Sequence, residues 1–185
     1  MKKSNNLENT NINFLPQKMS VEVCGVLYNN NITELRRTHE KISEFPESIG
    51  GLLNLKLLDL NYNQLITLSE SIGKLVNLTF LDISFNKLTT LPESIGRLLN
   101  LKCIGLMYNQ LTVLPKSIAN IKKRLFMDVS SYEINNLSTD TEILIFSNLE
   151  EELTNLPTGL KEIWTYKVNK KLNHKLPFGC VIKYF

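Results

Sequence analysis

Three carboxylates, one thiol and two imidazoles are the first side chains here whose types invite a chemical reading. Asp59, Asp82 and Asp128 fall on one regular interval, and a cation such as calcium wants several oxygens together. Gly105 stands where a further member of that column belongs, so the default is a row of solvated surface carboxylates. Cys103 needs a base beside it to act as a nucleophile, and His39 and His174 lie far from it in sequence. Lys122-Lys123-Arg124 suits a nuclear signal or a phosphate contact, but a short charge run is ordinarily solvated surface. The C-terminal lysines Lys161, Lys167, Lys170, Lys171, Lys175 and Lys183, with Trp164, Tyr166 and Tyr184, have the basic-aromatic composition of nucleic-acid surfaces. Asp140, Glu142, Glu150, Glu151 and Glu152 precede them as an internal counter-charge, so nucleic acid is not the expected partner. None of these groupings points to a catalytic residue, a metal or a cofactor.

Contact chemistry is better represented. Leu57, Phe80 and Phe126 share one interval, as do Tyr62, Phe85 and Tyr108, with Met107 next to the last and Asp59, Asp82 and Asp128 between the columns. An apolar and aromatic strip flanked by acids fits a protein-binding surface, because large exposed apolar patches mark binding sites and aromatic anchors dominate interface energetics. For Tyr62, Phe85 and Tyr108 a second use stays open, the shielding of a turn that follows them. Nothing in a repeated fold requires an apolar residue at Leu57 or Phe80.

The elements that carry this strip repeat. LKLLDLNYNQLITLSESIGKLVN, LTFLDISFNKLTTLPESIGRLLN and LKCIGLMYNQLTVLPKSIANIKK stand in register, with Leu55, Leu78 and Leu101 spaced by 23 residues. A fixed period in this range signals a solenoid. Leu58 and Leu60 alternate about Asp59, Leu81 and Ile83 about Asp82, and Ile104 and Leu106 about Gly105. Period two of this kind predicts a short strand with one buried face, stacked copy on copy into a parallel sheet. Asn63, Asn86 and Asn109 follow where the chain must turn, and an amide with donor and acceptor groups can satisfy backbone groups of adjacent coils. A buried asparagine ladder is predicted there. Leu91-Pro92-Glu93-Ser94-Ile95-Gly96 and its relatives predict one helical or 3₁₀ turn on the convex side. The fold class is an α/β solenoid with a curved parallel sheet on its concave face and short helical turns or loops opposite.

The ends are less regular. Residues 1–13 predict a disordered tail rich in Asn and Lys. Residues 14–31 predict an N-terminal cap, strand or short helix, over an edge that would otherwise invite aggregation. Repeats of 23 residues occupy 32–136. The first is degenerate, with Arg37 and Glu40 in place of leucine and asparagine, and the last sets Met127 and Val129 on the buried positions. Residues 137–185 predict shorter, irregular coils and a C-terminal cap, Leu156-Pro157 and Leu176-Pro177 being 20 residues apart. A separate small α+β cap is the alternative.

Net charge of +3 is too small to imply a nucleic-acid or membrane partner. Cys24, Cys103 and Cys180 have no paired spacing, which fits a reducing, intracellular compartment. The opening MKKSNNLENTNINF lacks the apolar stretch of a secretory signal, and no run approaches a membrane span.

The pattern L-x-x-L-x-L-x-x-N-x-L with LPESIG in its second half resembles the intracellular leucine-rich repeats of the Ras-binding scaffold and Ras-suppressor type. The later LPxGLK element is similar to shorter repeats of amoebal and giant-virus proteins, and the abundance of Asn, Ile and Lys suits an AT-rich genome. The resemblance implies a protein-binding solenoid, and with the charge and cysteine pattern the expectation is a noncatalytic adaptor or scaffold, viral or host-directed, monomeric and cytoplasmic, with a protein partner. It brings no catalytic residue, because the family motif contains none. An enzyme or nucleic-acid-binding activity in the basic C-terminal third is the alternative.

Overall fold

A computed structural model gives the fold and describes residues 20–121, 124–127, 139, 141–149, 156–168 and 176–184. The expected tail at 1–13, the first part of the expected cap at 14–19, Lys122-Lys123, Asp128, Tyr132, Asp140, the acids at 150–152 and the stretch 169–175 with His174 lie outside these residues.

A hairpin comes first. Ser20–Val23 (β1) and Val26–Asn29 (β2) pair antiparallel around Cys24-Gly25, where both residues have positive φ (48° and 77°), the backbone that a tight two-residue hairpin turn demands. Strands, not a helix, therefore stand at this end. Then come Glu34–Arg36 (β3), Leu57–Asp59 (β4), Phe80–Asp82 (β5), Cys103–Gly105 (β6), Arg124–Met127 (β7), Ile143–Leu149 (β8), Glu162–Val168 (β9) and Val181–Tyr184 (β10). These eight form one sheet in chain order, every neighbouring pair parallel. The sheet runs without a break through β10, so the last strands extend the same layer.

The register explains both the regular and the irregular part. Leu35, Leu58, Leu81 and Ile104 share one row at intervals of 23 residues. The row continues at Leu125 after 21 residues, and then at Leu144, Ile163 and Ile182 after 19 each. This corrects the expectation that Met127 continues the row and that Phe126 lies beside Cys103. Arg124 pairs with Cys103, Leu125 with Ile104 and Phe126 with Gly105, because the coil ending in β7 is two residues shorter.

Inside the regular coils the leucine rows close a core in which Leu58, Leu60, Leu81, Ile83, Ile104 and Leu106 are fully buried. On the convex side Glu47–Gly51, Glu70–Lys74, Glu93–Arg97 and Lys116–Asn120 each make one 3₁₀ turn. Neighbouring turns touch through Gly and Ser: a Cβ on Gly73 would lie 2.5 Å from Ser94 Cβ, and one on Gly96 would lie 2.4 Å from Ser117 Cβ. Only glycine permits that approach. The acid that opens a turn reaches forward to the next coil. Glu70 accepts from the Ser94 amide (3.1 Å), and Glu93 accepts from those of Lys116 (3.2 Å) and Ser117 (3.1 Å). Carboxylates at the amino ends of helical turns are favourable for the orphan amides there. Lys116 breaks the series by replacing the acid. Beyond it Leu160 N to Pro157 O (3.1 Å) and Cys180 N to Pro177 O (3.0 Å) close tighter turns, consistent with the 19-residue coils.

The degenerate first repeat has a physical reason. Arg37 stands where later coils carry leucine, and its guanidinium donates to the Val23 carbonyl (3.1 Å), the Tyr28 hydroxyl (3.1 Å) and the Glu40 carboxylate (2.6 Å). It ties the hairpin to the first coil, with Val23 fully buried beneath.

Candidate functional site

Each asparagine begins the geometry of the open face from below. Asn86 Nδ2 donates to the carbonyls of Leu60 (3.0 Å), Ile83 (3.0 Å) and Ser84 (3.1 Å), while its Oδ1 accepts from Leu65 N (3.0 Å). Asn63 and Asn109 repeat the arrangement one coil to either side. To send an asparagine inward, the residue before it must break the in-out alternation of the strand. Tyr62, Phe85 and Tyr108 do so with φ of 54°, and His39, ahead of the exposed Glu40, has the same conformation with 60°. Such a conformation is unusual for a bulky side chain and costs about 1–2 kcal/mol per residue.

The four rings recover part of that cost by stacking. Centroids lie 4.5 Å apart for His39–Tyr62, 4.1 Å for Tyr62–Phe85 and 4.4 Å for Phe85–Tyr108, with interplanar angles of 11°, 8° and 20°. Aromatic pairs contribute about 0.5–1.5 kcal/mol each beyond their buried area. The stack leaves Tyr62 46% and Tyr108 47% exposed, so shielding the turn does not use up their surface.

Beside the stack lie the outward strand positions. Leu57, Phe80 and Cys103 occupy one row, and Asp59, Asp82 and Gly105 the next, all but Gly105 half-buried. Asp59 Oδ1 accepts from Asn61 N (3.2 Å), and its other oxygen lies 3.7 Å from Arg36. Asp82 Oδ1 accepts from Ser84 N (2.9 Å) and Oδ2 from Asn61 Nδ2 (3.3 Å). Asn61, Phe80, Asp82, Ser84, Phe85, Gly105 and Met107 line a pocket of about 250 Å³ on this face.

The structure thus brings together Leu57, Asp59, Tyr62, Phe80, Asp82, Phe85, Met107 and Tyr108. Phe126 joins by register only, in the row of Gly105 and not that of Phe80, and Asp128 lies outside the described residues. Three residues were not legible as part of this site: Asn61, Ser84 and Gly105. The signal for Gly105 was its place in a column of aspartates, where it reads as an interruption. It is instead the gap over which Asp82 leans, since a Cβ there would meet Asp82 Oδ1 at 2.3 Å.

Several other chemistry-bearing groups among the described residues have places in the fold. His39 is stacked on Tyr62, three strands from Cys103, a separation of roughly 14 Å. Burial, aided at Cys180 by Glu162, pushes the Cys24 and Cys180 thiols above their ordinary value, the opposite of an activated nucleophile. Lys161 pairs with Glu142 (2.8 Å), and Lys183 pairs with Glu162 (2.5 Å) while resting 5.1 Å from the Trp164 ring centre. Two of the basic residues that invited a nucleic-acid reading are therefore neutralised within the sheet. Among the described residues no group of three or more His, Cys, Asp or Glu could hold a metal, and no helix is long and apolar enough to cross a membrane.

Comparisons with known proteins agree with this architecture. A family model for a leucine-rich repeat region matches residues 2–176. A solved leucine-rich repeat protein of Leptospira interrogans is similar at 32% identity and a TM-score of 0.55, over 71% of this chain and 37% of that one. An internalin from Listeria monocytogenes shares the fold at 22% identity and a TM-score of 0.51, over 77% of this chain and 51% of its own. This chain therefore spans about half or less of the length of either. No curated protein matches it significantly. The stacked parallel strands, the asparagine ladder and the family match together place this chain in the leucine-rich repeat family.

Proposed function

We propose that this chain is a noncatalytic interaction module that receives a protein partner on its concave face. The contact strip consists of Leu57, Asp59, Tyr62, Phe80, Asp82, Phe85, Met107 and Tyr108, with Phe126 continuing it by register. One observation carries the reading: a pocket with apolar walls and a carboxylate opens on the exposed face, bordered by half-exposed stacked rings. Packing does not require Phe80 or Met107 there, and aromatic anchors beside a pocket are where binding energy concentrates. The family supports the same direction, since leucine-rich repeats generally mediate protein–protein interaction. Three cysteines without paired spacing suit a reducing intracellular setting, in which we place an adaptor acting as a monomer.

The test is position-specific photo-cross-linking in cells. A photoreactive phenylalanine analogue at position 80 or 108 should yield discrete cross-linked products, whereas one at Leu53 or Leu99, exposed apart from this strip, should not. Products from 53 and 99 with none from 80 and 108 would move the binding surface off the concave face.

A further inference from the structure

We propose that the pocket on the concave face takes a lysine or arginine side chain of the partner, its cation against Asp82 and its stem between Phe80, Phe85 and Met107. The inference rests on the reading of that face as a protein-binding surface and adds the chemistry that is recognised there.

The contrast between two neighbouring aspartates carries it. Asp59 already has a cation, since Arg36 lies 3.7 Å from its carboxylate. Asp82, one coil on, meets only the Ser84 amide (2.9 Å) and the Asn61 side chain (3.3 Å), and no cation pairs with it among the described residues. An ionised carboxylate offers about four acceptor directions, so roughly half remain open toward the pocket. The walls name the rest of the occupant. Phe80, Phe85 and Met107 are apolar, and long cationic side chains lay their methylene stems on such surface while the head group stays with polar partners. An aromatic ring close to the cation adds attraction.

Size agrees. A volume of about 250 Å³ lies below the range of about 300–1,000 Å³ typical of drug-sized ligands and suits one extended side chain. A hard divalent ion is a poorer match, because it needs several carboxylates and a single one faces this pocket among the described residues.

Gly105 is what makes the site. Any Cβ there would lie 2.3 Å from Asp82 Oδ1 and 2.7 Å from Ser84 Oγ, so a side chain would push the carboxylate out of its place. The absence of an aspartate at 105 thus positions the aspartate at 82.

A random peptide library displayed on phage, selected against the whole chain, provides the probe. Selected peptides are synthesised and their binding measured on wild type, Asp82→Asn, Gly105→Ala, Phe80→Ala and Tyr108→Ala, with thermal melts to establish that each variant is folded. The expected peptides share a lysine or arginine beside an apolar residue. Replacing that residue by norleucine, or Asp82 by asparagine, should weaken binding about tenfold or more, and Gly105→Ala should do the same with Asp82 still present. Raising salt should weaken wild-type binding and leave the residual binding of Asp82→Asn nearly unchanged. Peptides that need Phe80 or Tyr108 but bind Asp82→Asn and Gly105→Ala as they bind wild type would overturn the cation site and leave the concave face standing. Peptides indifferent to all four variants, or no selected peptide at all, would overturn both.

Discussion

At Asn86 a single amide closes four backbone groups in the turn, three carbonyls and one N–H. Leucine has a similar size but no polar atoms, so Asn86→Leu leaves those groups buried without partners. We expect a loss of about 1–3 kcal/mol in thermal or denaturant unfolding, and an unchanged midpoint would show that the ladder does not hold the coil. Glu93 acts at a different kind of place, on the surface. Ser117, whose amide donates to it at 3.1 Å, and the Lys116 amide at 3.2 Å hold its carboxyl below the ordinary 4.5. A folded pKa below the unfolded one contributes stability that is complete above the ordinary value and lost as pH falls through the folded one. Glu93→Gln should therefore melt lower than wild type at neutral pH and lose less on acidification. Parallel melting curves across the acid range would contradict this role.

Elements here are defined by how closely coils approach. Three of the four convex 3₁₀ turns carry glycine at their fourth position, and Ala119 takes that place in the last. At Gly96 an added methyl would meet the Ser117 carbonyl oxygen at 2.5 Å, and that obstacle is backbone, which cannot swing away. Gly96→Ala should cost about 1–3 kcal/mol in unfolding experiments by forcing two coils apart. An alanine variant as stable as wild type would show that the coils separate freely. Much at this scale was legible in the sequence. The alternation at Leu58-Asp59-Leu60 and its copies predicted strands that pair residue for residue, and Asn63, Asn86 and Asn109 marked the turns. The register of β7 was not legible, because the 23-residue period holds as far as Ile121 and Lys122-Lys123-Arg124-Leu125 offers no second landmark to show a 21-residue coil. Arg37 read as degeneracy for a related reason. Its partners, the Val23 carbonyl and the Tyr28 hydroxyl, belong to a hairpin that no repeat pattern foretells. Asn61, Ser84 and Gly105 escaped the site because a pocket depends on which side chains are small as well as which are large.

Beside the β1–β2 hairpin the molecule has one eight-stranded parallel sheet, and in its regular coils each strand turns a leucine or isoleucine side to the core and leaves the other side open. Its stability comes from stacked neighbours, each coil burying the next, so the open side is free to vary. The central claim is that these two sides are separable on a single strand. Phe80 and Leu81 are adjacent on β5 and face opposite ways, Phe80 half-buried on the open side and Leu81 fully buried in the core. The measurement that tests this most directly is a thermal melt and a partner-binding assay on Phe80→Ala and Leu81→Ala, side by side. Leu81→Ala should lose about 2–5 kcal/mol of stability by opening a core cavity. Phe80→Ala should shift stability by about 0.5 kcal/mol or less and cost about 2 kcal/mol or more of binding. Phe80→Ala that binds as tightly as wild type, or that unfolds as readily as Leu81→Ala, would contradict the account.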